Sequence, residues 1–216
     1  MIIKSKPLSP FMFKCVGALV NVFFKMRFNK MVINEAEINP NHSYILMCNH
    51  FGFLDGLLAF YLCNKLLYKQ NAMRKLYIMS VKKQMEKKWW LQYLGSFSVD
   101  PGRRSIIESF EYAAEMLSQP GNLLLYYPQG ELESLAIRHV KFDEGIYEIA
   151  SRVKGNCQLL WSSNLIEYFE SIKPSAYFNL LDCGTTSDFD FETLKEKVNQ
   201  FHKTAIARNI RYTREP

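Results

Sequence analysis

Two hydrophobic periods alternate along this chain. Unbroken apolar runs, such as residues 44–48 and 123–127, suit strands buried on both faces. Elsewhere apolar positions recur every three or four residues, the spacing of one helical face. The clearest case is 105–118, where Ile106, Phe110, Ala113, Ala114 and Leu117 form an inner face and Glu108, Glu111 and Glu115 lie outside. Strands are expected over 43–48, 76–80, 96–100, 122–127, 157–162 and 176–183. Helices are expected over 10–28, 55–67, 82–94, 105–118 and 144–153. A last helix opens at Asp190, with Phe191, Leu194, Val198, Phe201 and Ala205 inward. Residues 34–41 read as a loop. Strands alternating with helices of this length predict an α/β fold: a single domain, a mostly parallel sheet covered by helices, preceded by an N-terminal amphipathic helix. No internal repeat or low-complexity linker divides 1–216. Residues 1–33 form the N-terminal helical region, 34–206 the core and 207–216, with Arg208, Arg211 and Arg214 at its edge or within it, a basic tail.

The first helix is unusual. At about 100° per residue, Lys14, Asn21 and Lys25 fall on one narrow stripe and nearly everything else is apolar. Its uninterrupted apolar run, 15–20, is far shorter than the roughly 20 residues a spanning helix needs. No signal-type cleavage pattern follows. Two readings stand, a helix in the membrane interface or a helix packed on the domain. The phenylalanines with lysines at both ends favour the interface.

Charge adds to this picture. The formal net charge is +6, unevenly spread. Lys4, Lys6, Lys14, Lys25, Arg27 and Lys30 lie in 1–31 without an acid. Residues 64–90 carry Lys65, Lys69, Arg74, Lys75, Lys82, Lys83, Lys87 and Lys88 against Glu86 alone. Two basic zones on an acidic remainder predict an oriented contact with a polyanion. No nucleic-acid-binding motif is present, so no nucleic acid is expected, and an anionic membrane surface is the preferred partner. Trp89-Trp90 beside Lys87-Lys88 is the pattern of an interfacial anchor, although a solvated face is the default for such a run. The expected location is peripheral, on the cytoplasmic face of the cell membrane.

With 216 residues, 48% of them hydrophobic, the chain can bury a core without staples. Cys15, Cys48, Cys63, Cys157 and Cys183 are scattered singly in apolar surroundings and read as core residues of a reducing compartment. The histidines form no metal-type cluster either, so no metal is expected.

Candidate chemistry sits where apolar runs stop. After 44–48 the chain reads Asn49-His50-Phe51-Gly52-Phe53-Leu54-Asp55; after 123–126 it reads Tyr127-Pro128-Gln129-Gly130-Glu131. In sheets of this class, ligands bind outside the carboxyl ends of strands. A histidine ending a strand beside an aspartate opening a helix places imidazole and carboxylate together, the minimum needed to remove a proton from a hydroxyl. The plainer reading is a strand end and an N-cap. Gln129-Gly130 is either a turn or an acceptor contact, and Arg103-Arg104 either a solvated helix start or a phosphate contact. Cys48, Tyr126 and Tyr127 read as core residues.

Three blocks in order, Asn49-His50-x4-Asp55, Gly95-Ser-Phe97-Ser-Val-Asp100 and Tyr127-Pro-Gln-Gly130, resemble the glycerolipid acyltransferase family, the lysophosphatidate acyltransferase-like enzymes. There the first block reads Asn-His-x4-Asp, the second Gly-x-x-Phe-x-x-Arg and the third Phe-Pro-Glu-Gly-Thr-Arg-Ser. The resemblance runs from about Tyr44 to Ala150 and includes Lys141-Phe142 and Gly145. It implies a glycerol-3-phosphate acyltransferase-like fold. It also implies acyl transfer from a thioester, acyl-CoA or acyl carrier protein, to a hydroxyl or amine of a lipid-like acceptor, with no bound cofactor. His50 would be the general base, with Asp55 orienting it. Asn49, Gly52, Arg103, Arg104, Gln129, Gly130 and Glu131 would contact substrate. Backbone N–H groups at Gly52 or Gly130 are candidate oxyanion donors. The basic surface would dock either a membrane or an acidic carrier protein.

The departures from the family pattern matter as well. Gly52 stands where the family often has Ser, Gln129 where it has Glu, and Glu131-Leu132-Glu133 where it has Thr-Arg. Pro101 replaces the arginine of the second block, and Cys157-Gln-Leu-Leu-Trp161 lacks the proline of a fourth apolar strand. Acids in place of a phosphate clamp predict an acceptor less anionic than a glycerol phosphate. The rivals are a membrane-bound protein of the same fold without turnover, and a thioester hydrolase in which His50 activates water.

Overall fold

The computed structural model describes residues 2–102, 104–169 and 171–209. Its strands are β1 (Lys30–Asn34), β2 (Ser43–Cys48), β3 (Lys75–Val81), β4 (Ser96–Val99), β5 (Asn122–Tyr126), β6 (Cys157–Glu167) and β7 (Ser175–Thr185). They form one 7-stranded sheet in the order β1-β7-β6-β2-β5-β3-β4. Every pairing is parallel except the β6–β7 hairpin. The helices are α1 (Pro10–Arg27), α2 (Asp55–Leu62), α3 (Lys82–Lys87), α4 (Ser105–Leu117), α5 (Gly145–Ala150) and α6 (Phe191–Asn209).

β2 lies at the centre, and all of its side chains are buried. Alternation explains why such a strand is apolar throughout. Tyr44, Leu46 and Cys48 enter one core with α1 and α2, while Ile45 and Met47 enter the other with α4, α5 and α6. The sheet is thus covered on both faces, and the parallel strands β2, β5, β3 and β4 leave it at the same edge.

Several elements differ from the expectations. β1 lies partly within the stretch expected to be N-terminal helical region, and pairs in parallel with β7 over Lys30↔Ser175 to Asn34↔Asn179. Helix 82–94 is broken into α3 and a 3-10 turn, Trp89–Leu94. The turn closes at Gly95, whose φ is +93°, and a Cβ there would stand 2.1 Å from the Leu76 carbonyl. Helix 55–67 changes at Cys63 into a π-helical turn, Cys63–Tyr68. β6 runs on to Glu167, burying the polar stretch Ser162-Ser163-Asn164.

The chain start is tied to the far edge of the sheet. Ile3 N–H donates to Ser98 Oγ at 2.8 Å and Ser98 N–H to the Ile3 carbonyl at 2.9 Å, beside β4. From there α1 crosses the sheet face toward β1 on the opposite edge. Of the two readings of this helix, packing on the domain holds for one face. Phe13, Gly17, Val20 and Phe24 are buried, with Phe13 against Phe60 and Tyr68, and Phe24 against Tyr61. Phe11, Met12, Leu19, Val22, Phe23 and Met26 are exposed on the outside. Cys15 is exposed there too, so it is not the core residue its sequence context suggested. Among the described residues no helix is long and apolar enough to cross a membrane.

The face opposite α1 holds a buried polar cluster. His202 Nδ1 lies 2.9 Å from Ser163 Oγ and Nε2 lies 3.2 Å from the Ile137 carbonyl. A carbonyl only accepts, so Nε2 carries the proton and Nδ1 accepts from the serine hydroxyl. Trp161 Nε1–H donates to the same Ser163 Oγ at 2.8 Å. Burial holds the His202 pKa below its ordinary value, although the Ile137 carbonyl opposes the shift.

Candidate active site

β2 ends at Cys48, and the chain turns sharply before α2 begins. Asp55 is the first residue of α2 rather than its N-cap, a position held by Leu54 without a side-chain cap bond. The Asp55 carboxylate therefore faces back into the turn. Its Oδ2 accepts from Phe51 N–H at 2.6 Å and Gly52 N–H at 2.8 Å, and lies 2.7 Å from His50 Nδ1. Asp55 is 1% exposed. Charge-assisted bonds of this kind contribute about 1.5–3 kcal/mol each, enough to hold a carboxylate out of water at the start of a helix.

This arrangement fixes the imidazole chemically. A carboxylate accepts, so Nδ1 carries the ring proton and the Nε2 lone pair remains available. The His50 side chain is 28% exposed against 1% for Asp55, so the pair is buried at its carboxylate end and open at its basic end. The His50 ring stacks on Tyr127, with centroids 4.4 Å apart.

The β5 exit locks onto the same turn. Gln129 Oε1 accepts His50 N–H at 2.6 Å, Gln129 Nε2 donates to Glu133 Oε2 at 2.7 Å, and Glu133 N–H donates to the His50 carbonyl at 2.9 Å. Gln129 and Glu133 thus clamp the His50 backbone from both sides. The corner between them is a tight turn, with Gly130 N–H on the Tyr127 carbonyl at 3.2 Å and φ +74° at Gly130. Glu131 is exposed at its tip.

Asn49 has a different task from the substrate contact expected of it. It is buried, its Nδ2 donates to the Asn164 carbonyl at 2.9 Å, and its Oδ1 accepts Asn164 N–H at 2.7 Å. Both ends of the amide pin the β2 exit to β6. Nor are the suggested oxyanion donors free, since Gly52 N–H is given to Asp55 and Gly130 N–H to Tyr127. Arg104 is exposed at the start of α4, beyond the β4 exit. β5 and β3 stand between β4 and β2, so three strand spacings, about 14 Å, separate the two exits. The structure does not bring Arg104 to His50. Arg103 lies outside the described residues, as do Arg211 and Arg214.

Cys48 is no nucleophile in this setting, because burial pushes its thiol well up, and the neighbouring Cys63 adds to the shift. Among the described residues, no group of His, Cys, Asp and Glu is placed to hold a metal ion. Sequence reasoning missed Tyr127, although alternation from Leu125 aims it at the α1–α2 face, as it does His50 from Cys48. It also missed Glu133 as the second arm of the clamp, a role with no local signature.

Comparison with known proteins gives two matches. The family model described as Acyltransferase matches residues 30–160. The fold is similar to a crystal structure from Thermotoga maritima, described as the 1-acyl-sn-glycerophosphate (LPA) acyltransferase PlsC. The TM-score is 0.61 at 15% identity, covering 94% of this chain and 81% of that one. Among curated protein sequences none matches significantly.

Proposed function

We propose, from the premise that this chain belongs to the acyltransferase family, that it moves an acyl group from a thioester to a hydroxyl or amine of a lipid-like acceptor. The observation that carries this reading is the imidazole of His50, held by a buried carboxylate at Nδ1 and open at Nε2. In this mechanism Nε2 takes the proton of the acceptor as its oxygen or nitrogen attacks the thioester carbonyl. The tetrahedral adduct collapses, the carbon–sulfur bond breaks, and the imidazolium returns the proton to the leaving thiolate. Asp55 stabilises the imidazolium and holds its orientation without taking the proton. The products are the acylated acceptor and a free thiol, with no acyl-enzyme. The donor is acyl-CoA or acyl carrier protein.

The acceptor is less anionic than a glycerol phosphate. Glu131 and Glu133 follow the β5 exit, with Glu133 N–H bonded to the His50 carbonyl, and would repel an approaching phosphate. A glycolipid or aminolipid alcohol fits that field.

The protein works at an anionic membrane surface on the cytoplasmic side. The exposed outer face of α1 supports this, as do Phe53, 90% exposed in the His50–Asp55 turn, and Trp89, 67% exposed beside Lys87 and Lys88. Phe53 would then enter the interface next to the reacting atoms.

The test is acyl transfer by the purified protein from acyl-CoA into vesicles holding either lysophosphatidate or an uncharged lipid alcohol. The reading predicts sedimentation with anionic vesicles at low salt, and greater product with the uncharged acceptor. Preference for lysophosphatidate would overturn the acceptor assignment, and protein left in the supernatant would overturn the membrane assignment.

A further inference from the structure

Two buried polar atoms beside the catalytic pair stand out. Among the described residues, neither Asp55 Oδ1 nor the Tyr127 hydroxyl has a hydrogen-bond partner. One is an anionic acceptor and the other a donor. Buried polar groups in folded proteins are almost always satisfied, so two complementary orphans on the two neighbours of the His50 ring call for a link.

The sheet register brings them to the same place. Met47 pairs with Tyr126, so Tyr127 emerges beside Cys48 at the edge from which His50 and Asp55 project. The Tyr127 ring packs with the α1–α2 core and stacks on the His50 ring at an interplanar angle of 29°. Burial holds the Tyr127 phenol well up, with Cys48 and Asp55 contributing, so its hydroxyl keeps the proton it would donate.

Gly52 supplies the second observation. A Cβ there would meet one neighbour within 4 Å, Asp55 Oδ1 at 3.8 Å. A serine at this position would carry its hydroxyl into hydrogen-bond range of the orphaned oxygen. Positions 52 and 127 are both departures from the resembled blocks, which often carry Ser at the first and have Phe at the second. This chain lacks one hydroxyl and has gained the other.

We propose that the Tyr127 hydroxyl donates to Asp55 Oδ1 through one bridging water, and that Tyr127 is a positioning residue doing what a serine at position 52 would do. This rests on the reading of His50 and Asp55 as the catalytic pair. A donor on Oδ1 withdraws charge from the carboxylate and sets how strongly Oδ2 holds His50 Nδ1–H. The other titratable groups around the pair are Cys48 on β2, Cys63 beyond α2, and Glu133, which acts through Gln129.

The test uses the full chain and reads the downfield proton resonance of His50 Nδ1–H by NMR, assigned with His50→Gln. Tyr127→Phe keeps the stacked ring and removes only the hydroxyl, so the resonance should move further downfield as the carboxylate regains charge. Gly52→Ser in the Tyr127→Phe background should return it to the parent position. Gly52→Ser alone supplies a second donor and should move the resonance upfield. A resonance untouched by Tyr127→Phe, or moved but not returned by Gly52→Ser, overturns the proposal. The resonance needs no turnover. A chain that shows these shifts yet transfers no acyl group would overturn the proposed function and leave the Tyr127–Asp55 link standing.

Discussion

Two histidines, one on each side of the sheet, show how partners decide what an imidazole does. His202, on α6, is fully buried and hydrogen-bonded at both ring nitrogens, to Ser163 and to the Ile137 carbonyl. His50 has one nitrogen on a carboxylate, no bond at the other among the described residues, and a side chain 28% exposed. Burial disfavours the charged form of His202, and a hydroxyl and a carbonyl occupy both of its nitrogens. A buried carboxylate fixes the His50 ring by its Nδ1–H. The first is a structural crosslink between α6 and β6, the second the base of the proposed mechanism.

Exchanging the fates of these residues breaks the comparison most sharply. His50→Ala should lower acyl transfer by about a thousandfold or more while leaving the melting temperature nearly unchanged. His202→Ala should do the reverse. It opens a cavity and strands Ser163 and the Ile137 carbonyl, costing about 2–4 kcal/mol of stability, while turnover per folded molecule survives. Denaturant melts and initial rates on the same preparations separate the two profiles.

The Gln129–Glu133 clamp offers a smaller, sharper test. Gln129→Glu would set two carboxylates where a 2.7 Å amide–carboxylate bond now stands, and should reduce kcat about tenfold. Adding Glu133→Gln restores the donor–acceptor match with its direction reversed and should recover most of the rate. A double-mutant cycle with no coupling would show that the clamp does not hold His50.

Least in size is the pH effect. The folded pKa of His202 is depressed, so the unfolded chain takes a proton that the folded ring refuses. Its contribution is complete above the unfolded value of about 6.5 and is lost as pH falls below that toward the depressed folded value. The burial-raised carboxyl of Asp143 works in the opposite sense, gaining protons in the fold at lower pH. Comparing the parent with His202→Asn isolates the histidine. The parent's urea midpoint should fall more between pH 7.5 and 5.5 than the variant's.

Local pattern carried the central strands and the His50–Asp55 turn. Residues 44–48 are apolar because β2 is covered on both faces, and the His50-x4-Asp55 spacing spans the turn that joins β2 to α2. Whatever depended on distant partners was not legible. β1 is a short edge strand with polar ends, defined by its pairing to β7. The polar end of β6 looks like a loop until Asn49 is seen bonded to the Asn164 backbone. The close of the Trp89–Leu94 turn at Gly95 depends on the Leu76 carbonyl, a contact between residues far apart in sequence. Gln129 reads as a departure from a motif, and its bond to the His50 N–H becomes visible only once two strand exits lie side by side.

The central claim is that His50 drives transfer to an acceptor rather than to water. Thiol release from acyl-CoA, followed together with acylated lipid in vesicles with and without acceptor, tests it most directly. The account predicts release that requires acceptor, matches product one for one, and disappears in His50→Ala. Release at the same rate without acceptor, or undiminished in His50→Ala, would contradict it.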